Sequence, residues 1–225
     1  MYMTTIDNRP QLVSRLRGHI VEVPEEARAA SGIVINGRRI KTLMFTTDIA
    51  IIRNCDADAV LAVYPFTPQQ TISDAIIQSA SIPVFCGVGG GTTQGTRTAM
   101  LAWNVEAQGA MAVVVNAPMS NEDISRIYQV VDIPIVVTVL NEHTDIGARL
   151  AAGATILNVS AAERTPEVIR KIRQDYPHVP IIGTGGPTSK TIRATVEAGA
   201  NAISYTPPST KELFSTMMDD YRTRD

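Results

Sequence analysis

The chain has little of what most specialised protein classes need. Only 5% of its 225 residues are aromatic, one of them a tryptophan, and the formal net charge is −2. With no basic stripe and no set of stacking rings, there is nothing to hold a nucleic-acid backbone or its bases, which argues against a nucleic-acid partner. The two cysteines, Cys55 and Cys86, lie in apolar stretches at a spacing that suits neither a metal site nor a disulfide. Reduced thiols of a cytoplasmic protein are the plain reading. No apolar run reaches the roughly 18 residues of a membrane span, and the N-terminus lacks the charged-then-apolar pattern of an export signal. There is no Gly-x-Ser-x-Gly elbow for a serine nucleophile.

What is present is a repeat. Ile82-Pro83-Val84, Ile133-Pro134-Ile135 and Val179-Pro180-Ile181 alternate with Gly109-Ala110, Gly153-Ala154 and Gly199-Ala200, and each leads into a short β-branched run. Apolar runs with proline only at the first position read as strands buried on both faces, the mark of a parallel sheet. The glycines fall where a helix C-terminus needs a left-handed residue.

Eight such strands can be counted: Leu43 to Phe45, Ala59 to Val63, Val84 to Cys86, Met111 to Val115, Ile135 to Val139, Thr155 to Leu157, Ile181-Ile182 and Ala202 to Ser204. Helices fit between them, with start signals at Ser120-Asn121-Glu122-Asp123 and Thr165-Pro166-Glu167. The expectation is an α/β fold, a (β/α)8 TIM barrel over residues 42–225, with an open doubly wound sheet as the alternative. Residues 1–41 break the rhythm and read as an N-terminal helical and hairpin extension. It has candidate helices at Asn8 to Arg17 and Pro24 to Ala30 and an Asn36-Gly37 hairpin turn. Such an extension either packs on the barrel floor or makes a subunit contact, which leaves a homo-oligomer open.

A TIM barrel puts its chemistry at the C-terminal ends of the strands. None of the four lysines, Lys41, Lys171, Lys190 and Lys211, lies in the sixth strand, which disfavours imine chemistry. Proton transfer then falls to Glu142 and His143 after the fifth strand and to Asp48 after the first. Asp48 reads equally well as a helix cap, and Glu142 as a solvated carboxylate. Neighbouring loop residues do not make a ligand set, so no metal and no cofactor are assigned. The loop from Gly87 to Arg97 offers Gly89, Gly90 and Gly91 to a second anionic group, or serves as a mobile lid. Asn116 and Asn158 suit a hydroxylated ligand, as do Tyr64 and Ser160, and Arg164 is placed to clamp an anion or to sit exposed at a helix start.

After the seventh strand stands Gly183-Thr184-Gly185-Gly186-Pro187-Thr188-Ser189, and after the eighth Tyr205-Thr206. A glycine pair there lets backbone N–H groups meet an anion beside a helix N-terminus, or simply makes a tight turn. This region resembles the common phosphate-binding TIM-barrel superfamily of phosphosugar isomerases, epimerases, indole-glycerol-phosphate-type enzymes and thiamin-phosphate synthase. Within that group, Ile203-Ser204-Tyr205-Thr206 running into Lys211-Glu212-Leu213-Phe214 is similar to the tail of the glycerol-uptake operon antiterminator family.

The resemblance implies a phosphate cradle of Gly185, Gly186, Ser204 and Thr206, and a small phosphorylated metabolite as ligand. The chain departs from the superfamily in having Tyr205-Thr206-Pro207-Pro208 where a glycine and a small polar residue are usual. The expected function is a lyase or isomerase working by acid–base chemistry. The alternative is a non-catalytic sensor of a phosphometabolite, and a metal-assisted hydrolase is the lesser option.

Overall fold

The computed structural model describes residues 19–223. The expected helix at Asn8 to Arg17 lies outside them. In chain order the elements are α1 (Glu25–Arg28), a hairpin of β1 (Ile33–Ile35) and β2 (Arg38–Ile40), then β3 (Thr42–Phe45), α2 (Ile49–Arg53), β4 (Ala59–Ala62), α3 (Gln70–Ser79), β5 (Val84–Gly89) and α4 (Thr96–Ala107). They continue as β6 (Ala112–Val115), α5 (Asn121–Tyr128), β7 (Ile135–Val139), α6 (Ile146–Ala151), β8 (Ile156–Val159), a 3-10 turn (Ala162–Arg164) and α7 (Thr165–Asp175). The chain finishes with β9 (Ile181–Thr184), α8 (Ser189–Glu197), β10 (Ala202–Tyr205) and α9 (Thr210–Arg222).

Strands β3 to β10 form one closed parallel barrel, in which β10 pairs with β3 through Ser204 opposite Leu43. All eight expected strands are present, with ends moved by at most three residues; the largest extension is β5, which runs on to Gly89 through a β-bulge against β6. Closure explains the unbroken apolar runs, because each strand has packed neighbours on both faces. Leu43, Leu61, Phe85, Val114, Val136 and Ile156 fill the barrel interior. Residues of opposite parity, such as Val60, Val113 and Val137, pack under the helices. The glycines of the three Gly-Ala pairs all have φ near +100° after a helix: Gly109 +101°, Gly153 +112° and Gly199 +104°.

The hairpin sends Ile33, Ile35 and Ile40 into the interior cluster while Val34, between the first two, stays exposed. Polar groups at this floor are densely paired. The Asp58 carboxylate accepts the N–H groups of Lys41 (2.8 Å) and Thr42 (3.0 Å) and the Thr42 hydroxyl (3.1 Å). Arg173, from α7, donates to the carbonyls of Gly199 (2.8 Å) and Val179 (2.6 Å) and to Asn201 Oδ1 (2.6 Å). The Asn201 side-chain amide also donates to Ser31 Oγ (2.9 Å), and the Asn201 backbone carbonyl accepts the Gly32 N–H (2.7 Å), tying the segment before the hairpin to the start of β10.

At the opposite end the Thr210 hydroxyl, in the first turn of α9, donates to Asp48 in the loop after β3. Helix α9 is otherwise loosely attached: no residue of it is fully buried, and Phe214 and Tyr221 stand exposed.

Candidate functional site

The C-terminal ends of the strands enclose a cavity of about 250 Å3. Phe45, Leu61, Val63, Val114 and Leu140 give it apolar walls, and Thr138, Asn158 and Ser204 form a buried polar floor. Asn116, Ser160, Thr184 and Thr206 complete the lining, so among the described residues no side chain with a formal charge faces the cavity. Asn158 is 8% exposed; its Nδ2 lies a long 3.4 Å from Thr138 Oγ1, and its Oδ1 has no partner. A buried amide oxygen without a donor carries a desolvation cost of about 1–3 kcal/mol, which a fold tolerates where a ligand supplies the missing bond.

The residues assigned to catalysis from the sequence do not line this cavity. Asp48 caps α2, with Oδ1 accepting the N–H groups of Ala50 (2.8 Å) and Ile51 (3.3 Å). The Thr210 hydroxyl, and then these amides, hold its carboxyl below the usual carboxylate range. Glu142 follows Leu140 by two residues but turns outward, to a pocket of about 200 Å3 between α6 and α7. Its Oε1 is 2.5 Å from Arg164 Nη2 and 3.6 Å from His143 Nε2, and its Oε2 is buried without a partner. The hydrogen bond from Arg164 is the main reason its pKa falls to about 2. Arg164 is thereby engaged by Glu142, and more loosely by Glu167 at 3.3 Å, rather than free to clamp an anion.

The four residues of the expected phosphate cradle divide between two places. Ser204 and Thr206 line the mouth, whereas Gly185 and Gly186 line a pocket of about 400 Å3 between α7 and α8 that meets the mouth at Thr184. The Gly185 N–H is given to the Ser204 carbonyl at 3.2 Å. A Cβ on Gly185 would come within 2.8 Å of Ile203 and 2.9 Å of Ile192, so tight packing of strand on helix already demands glycine there. Gly186 makes the turn, at φ +76°. It precedes Thr188, which caps α8 together with Thr191.

On the far side of the mouth, Gly89, Gly90 and Gly91 line a separate cavity that shares Asn116 with it. This loop is pinned rather than loose. Gly90 N–H donates to the Thr93 carbonyl (3.0 Å), as does the Thr98 hydroxyl (3.0 Å), and Gly95 N–H donates to the buried Asp123 (3.0 Å). Thr138 and Thr184 are the polar mouth residues that sequence reasoning missed, along with the apolar walls. Thr138 carried a usable signal, being the single polar side chain of β7 and two positions from the inward-facing Val136.

No family description and no curated protein matches the sequence. Solved structures do match the fold. A protein assigned as a phosphonomutase, from Burkholderia cenocepacia J2315, superposes with a TM-score of 0.62 at 17% identity over 82% of this chain and 92% of that one. Phosphoenolpyruvate phosphomutase from Streptomyces platensis subsp. rosaceus gives 0.60 at 14% identity over 81% and 80%. Phosphonopyruvate hydrolase in complex with oxalate and Mg++ gives 0.58 at 15% over 88% and 96%. At such identities the likeness establishes the (β/α)8 barrel and nothing finer.

One sequence expectation is corrected by this. The likeness of the Ile203 to Phe214 tail to the antiterminator family finds no support: no family description matches the chain, and the solved structures named above are barrels of other descriptions. Among the described residues no three His, Cys, Asp or Glu side chains gather to hold a metal ion. Among these residues, too, no helix is long and apolar enough to cross a membrane.

Proposed function

We propose that the barrel mouth binds a small hydroxylated, phosphorylated metabolite, and that the mouth as built recognises this ligand rather than moving its protons. The observation that carries the reading is Asn158, nine-tenths buried with an unpaired Oδ1, among hydroxyls and amides that can share hydrogen bonds with a polyol. The phosphate would rest at the β9 and β10 ends. There Gly186, the N-terminus of α8 and the Thr206 hydroxyl supply donors, and Lys190, in the first turn of α8, supplies charge. A floor without an ionisable side chain leaves general acid–base catalysis no agent inside the cavity, which favours a sensing role.

Catalysis as a lyase or isomerase is the second reading, favoured by the Glu142–Arg164 pair at the rim. Arg164 keeps Glu142 ionised, and the buried, unpartnered Oε2 is the atom that would accept a proton. A carboxylate of pKa about 2 is a weak base, so this reading needs a ligand that displaces Arg164.

Thermal unfolding of the wild type and Asn158→Leu in the presence of inorganic phosphate, triose phosphates and ribose 5-phosphate tests both readings. A ligand at about a hundredfold its Kd adds about 2.7 kcal/mol to stability, so a shift in the wild type that Asn158→Leu abolishes is the expected result. The absence of any shift would overturn the mouth as a phosphometabolite site. Turnover of a ligand so found, lost in Glu142→Gln with binding retained, would establish the second reading over the first.

A further inference from the structure

The mouth cavity does not end at its β4–β6 side. A second cavity of about 330 Å3 begins there, and Val63 and Asn116 line both. The chain goes to some length to keep it open. A bulge between Gly87 and Gly89 shifts the register of β5 against β6 at this point, a common device beside binding sites, and Gly89 pairs with Val115 beyond it. Gly90 then lays its backbone directly on Asn116 at φ +110°, where a Cβ would come within 2.5 Å of Asn116 Cβ. Only glycine combines that φ with that approach.

The opposite wall is the segment from Tyr64 to Gln69, closed on itself by the Gln69 N–H donating to the Tyr64 hydroxyl at 2.8 Å and stiffened by Pro65 and Pro68. At its tip Phe66 is 73% exposed, the most exposed large apolar side chain among the described residues. A ring held in water gains nothing for folding, and the proline-stiffened turn beneath it presents it at the edge of the cavity. Among the described residues no formally charged side chain lines this second cavity, so the part of the ligand that enters it is uncharged. Size points the same way, because small-molecule sites usually measure about 300–1,000 Å3. The mouth alone, at about 250 Å3, falls short of that range, and with its neighbour it enters it.

We infer that the ligand of the mouth reaches across Asn116 into this second cavity and carries there an uncharged planar ring, received by Phe66, Tyr64 and the peptide edge of Gly89 to Gly91. The inference rests on the reading of the mouth as a recognition site for a hydroxylated phosphate compound. It places the phosphate and the ring on opposite sides of the barrel axis, since β9 and β10 face β5 and β6 across the ring of strands. Tyrosine, phenylalanine and proline walls favour a flat ring over a branched chain, and exposed peptide groups can meet the polar edge of a heterocycle.

The test is equilibrium binding of ribose 5-phosphate, uridine 5′-monophosphate and inosine 5′-monophosphate to the wild type, Phe66→Ala and Asn158→Leu. The wild type is expected to bind at least one ring-bearing compound roughly tenfold more tightly than ribose 5-phosphate. Phe66→Ala, a change at an exposed tip that leaves folding intact, should erase that difference without touching ribose 5-phosphate, while Asn158→Leu weakens all three. Equal affinity for all three compounds in the wild type, or a preference that survives Phe66→Ala, would overturn the ring site and leave the mouth reading standing. No binding of any compound to the wild type would overturn both.

Discussion

At the floor of the barrel, Arg173 commits its guanidinium to the carbonyls of Gly199 and Val179 and to Asn201, and Asp58 is filled by three donors from Lys41 and Thr42. At the mouth, Asn158 is more deeply buried than Arg173 and leaves its Oδ1 unpaired, while the hydroxyls of Thr184, Ser204 and Thr206 face an empty space. Both ends belong to the same eight strands, so the difference is not one of fold. Polar groups at the floor are spent on holding the chain, and polar groups at the mouth are held in reserve. In a barrel that division is expected, because loops at the C-terminal ends carry function and those at the other end carry stability.

The comparison breaks most visibly at Arg173. Arg173→Ala leaves carbonyls at the α7–β9 and α8–β10 junctions without their charged donor, and a loss of about 3 kcal/mol in urea unfolding is expected. A loss below about 1 kcal/mol would mean the floor network is decoration and the contrast between the ends is false.

A smaller effect of opposite sign sharpens it. Asn158→Leu removes an unpaired buried amide at the cost of one long hydrogen bond to Thr138, so stability in the same assay should hold or rise by about 1 kcal/mol. A marked loss there would make Asn158 a structural residue.

The smallest effect concerns Glu142, at the rim between the two regimes. Its folded pKa of about 2 lies below the ordinary value of 4.5, so the ion pair contributes fully above pH 4.5 and fades as the pH falls toward 2. Glu142→Gln should therefore flatten the dependence of thermal unfolding on pH within that window, with its small cost fully present at pH 7 and gone near pH 2. An unchanged acid limb would mean that Arg164 does not hold the carboxylate in solution.

The barrel was legible in the sequence because its signals are local and repeated. A proline or a Gly-Ala step before six of the eight barrel strands, and caps such as Ser120 and Thr165-Pro166, act within a few residues of themselves. The site was legible only where side chains sit on strands. Asn158 belongs to β8 and Asn116 directly follows β6, so strand parity and strand ends place them at the mouth, and parity would have placed Thr138 there as well. Loop residues followed other partners. Glu142 turns to Arg164, 22 residues further on, and Asp48 to Thr210, 162 residues away, and no spacing rule carries such pairings. Gly185 misled for a related reason: the glycine read as room for an anion is filled by Ile192 and Ile203, two side chains from other elements.

The seam between β3 and β10 joins the first strand of the barrel to the last. A chain made from its N-terminus must therefore carry β3 with one edge bare until β10 exists. Long-range pairing of this kind is slow, and a bare parallel edge is open to strands of other molecules while it waits. The two latches across that seam, Ser31 and Gly32 on Asn201 below and Thr210 on Asp48 above, are positioned to secure the ring once it has closed. For this protein the hazard of folding is one of timing, concentrated at a single line down its wall.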